Sequence, residues 1–201
     1  YIKHYNYSKE YIIWSVEKSL KDLNTSYLDL LLLHRPSPLM HPNEIAAAVS
    51  ILKESGKILD FGVSNFSPSQ LRIIDNKTAV SVNQIEFSLT EHSAMHNGVL
   101  DQLLQKEIQP MSWSPLGSFF KEANQTNTRI KKVLDMFTKK YNVTEDQLLL
   151  SWILKHPSGV IPVVGTTSKV RLENAIKAVE IDLELEDWFT LLVECQGHKV
   201  P

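Results

Sequence analysis

Polar side chains stand at the carboxyl ends of several short apolar runs in this chain. His34 closes the run LDLLLLH, and an imidazole ring can take up or release a proton near neutral pH. Asn65 and Gln84 end two later runs, and each side-chain amide offers a hydrogen-bond donor and an acceptor. Further polar residues in comparable positions are Ser64, Asn83, Glu86, Ser112, Ser114 and Thr166. If the run ends meet, they form a site suited to proton transfer and to hydrogen bonding of a polar ligand.

A second chemical possibility is a pair of histidines in the segment TEHSAMH. His92 and His96 are four residues apart, a spacing that can present two zinc ligands on one helix face. The segment lacks the glutamate of an H-E-x-x-H motif and follows the end of an apolar run. We therefore expect a loop near a substrate pocket here and no metal site.

The apolar spacing predicts helices and strands in alternation. In residues 9–24, Ile12, Val16, Leu20 and Leu23 recur at helical spacing, which predicts an amphipathic helix. Strands are predicted over 28–34, 58–65, 80–87, 110–117 with its loop, and 159–165. Further helices are predicted over 43–54, 67–74, 97–106, 129–141, 145–155, 168–179 and 186–195. The continuous apolar run 28–34 is typical of a strand that is buried on both faces.

This alternation predicts a parallel sheet covered by helices, in one domain. Two architectures compete, an open doubly wound sheet and a closed barrel. No G-x-G-x-x-G motif follows any predicted strand, which argues against the open dinucleotide-binding sheet. The polar strand ends favour the barrel, because barrel active sites are built where the carboxyl ends of the strands converge.

Composition excludes several classes of partner. A net charge of −2 gives no electrostatic reason to expect nucleic acid or an anionic membrane. No apolar run reaches the roughly 18 residues that a membrane span requires. Cys195 is the one cysteine of the chain, so it forms no internal disulfide; we expect a packed thiol and a cytoplasmic protein.

Five segments together resemble the aldo-keto reductase family. They are YLDLLLLHRP (27–36), GKILDFGVSNFS (56–67), VNQIEFS (82–88), MSWSPLG (111–117) and VIPVVGTTSKVRLENA (160–175). In order and spacing they are similar to strands four to eight of that family's barrel, and His-Arg-Pro and Trp-Ser resemble a bacterial subgroup. The resemblance implies an α/β fold, the (β/α)8 TIM barrel, with residues 1–201 forming its carboxy-terminal part.

The resemblance also implies a nicotinamide site. His34 matches the histidine that orients the carbonyl and assists proton transfer; the alternative is a core histidine bonded to backbone. Ser64, Asn65 and Gln84 match residues that hydrogen-bond the nicotinamide carboxamide, and Trp113 matches the aromatic residue that stacks on the ring. The alternatives are loop capping, an interior glutamine and a core tryptophan.

Phosphate-binding positions follow from the same resemblance. Arg171 fits a 2′-phosphate, which a guanidinium can bind with two hydrogen bonds, and it favours NADP(H) over NAD(H). For Arg171 and Lys169 the alternative is a solvated helix face. Matches around the pyrophosphate are Ser114, Leu116, Gly117, Gly165, Thr166 and Thr167, with Lys169 adding charge. Glu173 and Asn174 match the contacts to adenine.

The family's catalytic Asp, Tyr and Lys have no match in this chain. Tyr1, Tyr5 and Tyr7 lack the Asp-x-Ala-x-x-Tyr context and are expected to be loop or helix-start residues. The resemblance thus implies an NADPH-dependent oxidoreductase of small aldehydes or ketones, and we expect this chain by itself to lack turnover. A nucleotide-binding regulatory subunit of the same fold is the alternative. The polar segment 119–130 is expected to be a mobile loop.

Overall fold

The computed structural model describes residues 2–200 and confirms the predicted alternation of strands and helices. The strands are β1 (Leu28–Leu33), β2 (Ile58–Ser64), β3 (Val82–Glu86), β4 (Gln109–Trp113) and β5 (Ile161–Pro162). The α-helices are α1 (Lys9–Leu23), α2 (Pro42–Glu54), α3 (Pro68–Asp75), α4 (Val99–Gln105), α5 (Gln125–Tyr141), α6 (Glu145–Leu154), α7 (Lys169–Lys177) and α8 (Leu185–Gln196). Short 3-10 turns cover Ser93–Met95 and Ala178–Glu180. Tyr1 lies outside the described residues.

The chain divides into two compact units. Unit 1 comprises residues 2–85 and Asp101–Gln109, and unit 2 comprises Glu86–Leu100 and residues 110–200. In unit 1, β1 and β2 run parallel with Leu33 opposite Val63, and β2 and β3 run parallel with Ser64 opposite Gln84. Parallel pairing with helical crossovers is the predicted α/β arrangement.

Gly62 lets β2 lie closely between its two neighbours. A Cβ atom at this position would come within 2.6 Å of the Leu32 side chain and 2.7 Å of the Val82 carbonyl oxygen. Those distances are far shorter than ordinary contact, so a larger residue would push the strands apart. Beside this sheet, Ile45, Leu52, Phe61, Leu71 and Ile74 are buried and form the core of unit 1.

The prediction that strand 28–34 is buried on both faces was wrong. Asp29 is exposed, Leu28 and residues 30–32 are half-buried, and Leu33 is the residue of β1 that is buried. Within unit 1, β1 is paired along one side, by β2. Its leucines therefore lack a neighbouring strand on the other side, which an apolar run in the sequence does not reveal.

Unit 2 is built on β4, β5 and four helices. Met111 pairs with Ile161 and Ser112 with Pro162 in parallel register. Helices α5, α6 and α8 enclose a core that includes Ile130, Leu148, Trp152 and Leu191. Arg129 of α5 donates from Nε to the Glu194 carbonyl at 2.8 Å and from Nη2 to the Cys195 carbonyl at 3.2 Å. The cation thus caps free carbonyl groups at the carboxyl end of α8.

Two boundaries in unit 2 differ from the predictions. Helix α5 begins at Gln125 rather than at residue 129, because Asn124 is its N-cap and accepts from the Asn127 backbone N–H at 2.8 Å. Part of the segment expected to be a mobile loop is therefore helical. Strand β5 is two residues long rather than spanning 159–165, and Pro162 has no N–H to donate to a neighbour. No helix within residues 2–200 is long and apolar enough to cross a membrane.

Candidate active site

Four of the predicted residues lie at or near the carboxyl ends of three adjacent strands in unit 1. Leu33 is opposite Val63, so His34 follows β1 at the level of Ser64, which is in turn opposite Gln84. The Ser64 hydroxyl donates to the Gln84 carbonyl oxygen at 2.9 Å, and the Asn65 backbone N–H donates to the same oxygen at 2.8 Å. These bonds bring His34, Ser64, Asn65 and Gln84 to one edge of the unit 1 sheet.

The turn from β2 into α3 holds Asn65 in an uncommon conformation. Asn65 has φ +59°, a left-handed value that asparagine tolerates better than most residues, and its Nδ2 donates to Ser64 Oγ at 2.7 Å. Helix α3 starts immediately afterwards with Ser67 and Gln70 in a capping box. Asn83, fully buried on β3, donates to the Phe66 carbonyl at 3.0 Å and supports the turn from beneath.

The Gln84 side chain is available to a ligand. It is half-buried, and its amide has no hydrogen-bond partner among residues 2–200. An amide in this state has a donor and an acceptor free for a group of complementary chemistry, such as a carboxamide. Ser64, by contrast, is 3% exposed and its hydroxyl is already used within the turn, so it shapes the site from inside.

His34 is exposed, and its ring makes no hydrogen bond to any residue between 2 and 200. It therefore differs from a core histidine bonded to backbone, while its part in a reaction stays a prediction. Its ring meets Tyr5 edge-on, with centroids 6.3 Å apart, and Tyr5 in turn stacks on Tyr7. Both tyrosines were expected to be loop or helix-start residues, and no periodicity in this segment could have placed them beside His34.

A cavity of about 630 Å³ lies in unit 2. Its wall contains residues 114–117 after β4, residues 163–166 after β5, and Arg171 and Asn174 of α7. The predicted site residues it brings together are Ser114, Leu116, Gly117, Gly165, Thr166, Arg171 and Asn174. The phosphate-binding positions expected from the sequence thus largely share one cavity.

Four cofactor residues predicted in unit 2 do not line this cavity: Trp113, Thr167, Lys169 and Glu173. Thr167 and Lys169 are exposed at the start of α7, and Lys169 turns toward Glu173 of the next helical turn, with Nζ 3.7 Å from Oε1. That orientation matches the solvated helix face rather than a phosphate ligand. Trp113, the last residue of β4, is half-buried outside the cavity wall.

A tight turn brings backbone close to the cavity. Ser114 and Gly117 both have positive φ, at 50° and 55°, and the Gly117 N–H donates to the Ser114 carbonyl at 2.7 Å. A Cβ atom on Gly117 would lie 1.9 Å from Thr90 Oγ1 and 2.5 Å from Ser88 Oγ. Glycine is therefore required here, because Thr90 and Ser88 fill the space that a side chain would need.

Cationic and dipolar groups converge on the same cavity. Arg171 and Lys121 line it, and neither has an ion-pair partner among residues 2–200. Ser168 caps α7 and accepts from the Arg171 N–H at 3.5 Å, and Arg171 is the first residue of this helix in the cavity lining. Asp146 is the acidic residue of the lining. Lys121 and Asp146 were not singled out from the sequence.

The segment carrying Lys121 is tied to α5 by one side chain. Asn127 is buried, and its Nδ2 donates to the Ser118 carbonyl at 3.1 Å and to the Glu122 carbonyl at 2.8 Å. Phe120, also in the lining, is 54% exposed. The segment therefore has a defined backbone while presenting one aromatic ring and one cation to the cavity.

The rings of His92 and His96 contact each other. Their rings are 5.7 Å apart and nearly perpendicular, and His92 Nδ1 is 2.9 Å from the Leu89 carbonyl oxygen. Within residues 2–200, no group of three or more His, Cys, Asp or Glu side chains has the arrangement of a metal site. The pair lies around the 3-10 turn Ser93–Met95 and not on an α-helix.

The family model described as Aldo/keto reductase family matches residues 1–192. The chain belongs to this family. As an aldo-keto reductase, it is 39% identical over 203 residues to an uncharacterized oxidoreductase, YcsN, of Bacillus subtilis, covering 98% of the chain and 68% of that protein. It is 35% identical to a 6-dehydroglucose reductase of Agrobacterium fabrum, covering 99% of the chain and 67% of that protein.

A solved structure confirms the fold class. The chain matches a thermostable aldo-keto reductase in complex with the inhibitor epalrestat, with a TM-score of 0.85 and 26% identity, over 93% of the chain and 67% of that protein. The α/β fold of the TIM-barrel type is therefore as predicted. The matches do not bear out the expected carboxy-terminal placement, and the chain spans 68% of the length of its relative YcsN. Family membership supports an oxidoreductase that acts on carbonyl groups in general.

Proposed function

We propose that this aldo-keto reductase binds NADPH and serves the reduction of small aldehydes or ketones. The observation that carries the proposal is the unit 2 cavity, where Arg171 of α7 and Lys121 line the same space. Two cations without ion-pair partners among residues 2–200 suit a ligand with several phosphate groups. A relative 30% identical over 180 residues, from Saccharomyces cerevisiae, is named an NADPH-dependent alpha-keto amide reductase.

The donor set fits the adenosine half of a nicotinamide dinucleotide. The turn at residues 114–117 lines the cavity, and its backbone is proposed to contact a pyrophosphate. Arg171 is proposed to bind a 2′-phosphate, and Asn174 the adenine. Thr166 and Gly165 line the same wall and leave room for the phosphates.

Within unit 1, the proposal assigns binding of a nicotinamide carboxamide to the residues at the strand ends. The Gln84 amide, which has no partner among residues 2–200, offers a donor and an acceptor to a carboxamide. Asn65 is held in its left-handed turn beside it. The reduced nicotinamide supplies a hydride to the carbonyl carbon. His34 is proposed to hold the carbonyl oxygen by a hydrogen bond and so to stabilise the charge that develops there.

The chain by itself is proposed to bind the nucleotide without turnover. No residue of this chain was assigned the roles of the family's Asp, Tyr and Lys. Proton delivery to the carbonyl oxygen would then depend on groups outside the set named above. Binding of nucleotide is accordingly the property to test first.

The test is a fluorescence titration of the chain with NADPH and with NADH. Arg171→Ala should raise the dissociation constant for NADPH about 10- to 100-fold, since a charge-assisted hydrogen bond contributes about 1.5–3 kcal/mol. The constant for NADH should change little, because NADH has no 2′-phosphate. Arg72→Ala, an exposed arginine of α3 outside the cavity lining, is the matched control. The proposal would be contradicted if Arg171→Ala weakened the binding of NADPH and NADH equally. It would also be contradicted if the unaltered chain bound neither nucleotide.

A further inference from the structure

His34 needs a support that its own strand does not supply. It follows β1, which is paired along one side in unit 1, and it is exposed with no hydrogen bond to residues 2–200. An exposed ring of this kind exchanges between rotamers unless neighbouring groups restrict it. A residue that orients a substrate has to be held by packing or by hydrogen bonds around it.

Tyr7 holds the backbone of the residue next to His34. Its hydroxyl donates to the Arg35 carbonyl oxygen at 2.5 Å and accepts from the Arg35 N–H at 3.2 Å. Both backbone groups of one residue are thus bound by a single phenol. Burial raises the pKa of Tyr7, so the hydroxyl keeps its proton and its donor function across the neutral range.

Tyr5 connects the Tyr7 ring to the His34 ring. The rings of Tyr5 and Tyr7 are stacked, with centroids 6.2 Å apart and planes at 21°. Tyr5 then meets His34 at 6.3 Å with planes at 78°, an edge-to-face arrangement that aromatic rings favour. The three rings form a continuous series that begins at the Arg35 backbone and ends at His34.

The start of α1 fixes this series in place. Ser8 follows Tyr7 directly and is the N-cap of α1, accepting from the Tyr11 N–H at 3.4 Å. The Lys9 N–H donates to Glu44 Oε2 of α2 at 3.0 Å. The segment that carries the two tyrosines is therefore anchored to two helices of unit 1.

We infer that Tyr7 and Tyr5 are positioning residues for His34: Tyr7 fixes its backbone through Arg35, and Tyr5 is the surface against which its ring rests. The catalytic meaning of this arrangement rests on the proposed function, in which His34 holds the carbonyl oxygen. The arrangement itself concerns unit 1 and does not depend on the nucleotide.

The experiment is NMR of the chain labelled with 13C at the histidine rings, with the His34 signal assigned from the variant His34→Gln. Tyr7→Phe removes the hydroxyl and keeps the ring, and Tyr5→Leu removes the ring. Each should move the His34 ring signal toward the position of a free histidine. Tyr5→Phe is the matched control, since it keeps the edge-to-face contact and should leave the signal where it is. The signals of His92 and His96 in unit 2 should stay unchanged in all three variants.

An unchanged His34 signal in both Tyr7→Phe and Tyr5→Leu overturns the inference. If Tyr7→Phe also shifts the signals of His92 and His96, the substitution has disturbed the fold. The comparison of Tyr5→Leu with Tyr5→Phe then decides the question. A difference between their His34 signals supports the inference, and identical His34 signals overturn it. Because no nucleotide is present, a negative result leaves the NADPH proposal standing. A failed NADPH titration, in turn, leaves the His34 result valid.

Discussion

The indole rings of Trp152 and Trp188 lie parallel at 4.8 Å, and each donates its N–H to the other's carbonyl oxygen. The two bonds measure 3.2 Å from Trp152 and 2.9 Å from Trp188. They join the core of α6 to α8 and satisfy two polar groups that burial would otherwise leave unpaired. Near its carboxyl end, α8 accepts hydrogen bonds from Arg129. The helix is therefore attached to the rest of unit 2 at two points along its length.

Trp188→Phe tests the reciprocal bonds. The variant keeps an aromatic ring but leaves the Trp152 carbonyl without its donor, so the free energy of unfolding should fall by about 1–2 kcal/mol. Urea unfolding followed by circular dichroism measures it. Trp14→Phe is the control, since Trp14 is 54% exposed on α1 and its replacement should change stability by less than about 0.5 kcal/mol. Equal effects of the two substitutions would mean that the bonds add nothing.

Gly117→Ala compared with Gly56→Ala separates backbone strain from a steric clash. Both glycines have positive φ, at 55° and 68°, so alanine should cost about 1–2 kcal/mol at either position. At Gly56 a Cβ atom meets nothing within 4 Å, whereas at Gly117 it would lie 1.9 Å from Thr90 Oγ1. Gly117→Ala should therefore destabilise the chain further and weaken NADPH binding at least tenfold, while Gly56→Ala leaves binding intact. If Gly117→Ala bound NADPH as tightly as the unaltered chain, the turn at residues 114–117 would not be part of the nucleotide site.

Lys121→Met should weaken NADPH and NADH alike. Lys121 lines the cavity with Arg171, and it is proposed to face the pyrophosphate that both nucleotides carry. Losing this charge should raise both dissociation constants about three- to tenfold, with a smaller effect at high salt because exposed charges are screened. The contrast with Arg171→Ala, which should discriminate between the nucleotides, is the informative measurement. If Lys121→Met weakened the binding of NADPH but not of NADH, the 2′-phosphate would have to be assigned to Lys121 instead of Arg171.

Cys195 should make stability depend on pH in alkaline solution. Burial raises the pKa of its thiol from 9.0 to about 11, so between these values the folded chain keeps a proton that the unfolded chain has lost. The contribution of the protonated thiol to the free energy of unfolding is on the order of 2 kcal/mol. It is fully present below about pH 9 and is lost as the pH rises through about 11. Unfolding of Cys195→Ala over pH 8–11 should show a flatter decline than the unaltered chain. Tyr7 and Tyr141, which also have raised pKa values, are present in both, so the difference in slope isolates the thiol.

The sequence predicted most elements because apolar spacing and caps are local signals. Ser67-Pro68 placed the start of α3, and the apolar runs located all five strands. The start of α5 was missed because residues 125–128 are polar and carry no apolar period; Asn124 as a cap was the signal available. The exposure of β1 could not be predicted, since an apolar run indicates what a strand would bury and not whether a neighbour covers it.

The site was predictable where a residue's place follows from its own strand. Gln84 and Ser64 meet because β2 and β3 pair in a parallel register that sets these two residues opposite each other, and Arg171 lines the cavity from the first turn of α7. Lys121, Asp146 and the Tyr5–Tyr7 series depend on contacts between segments far apart in the chain. Their immediate neighbours in sequence say nothing of those contacts, so no local pattern could have assigned them.

The side chain of Asn127 determines how residues 118–122, which include part of the cavity lining, are attached to α5. The side-chain amide of Asn127 donates hydrogen bonds to the carbonyl oxygens of Ser118 and Glu122. Phe120 and Lys121 lie between these two residues in the sequence. Both ends of this short stretch are therefore tied to the first turn of α5. Loss of the Asn127 side chain would release both ends at once, so we expect a molecule bound against Phe120 and Lys121 to leave faster.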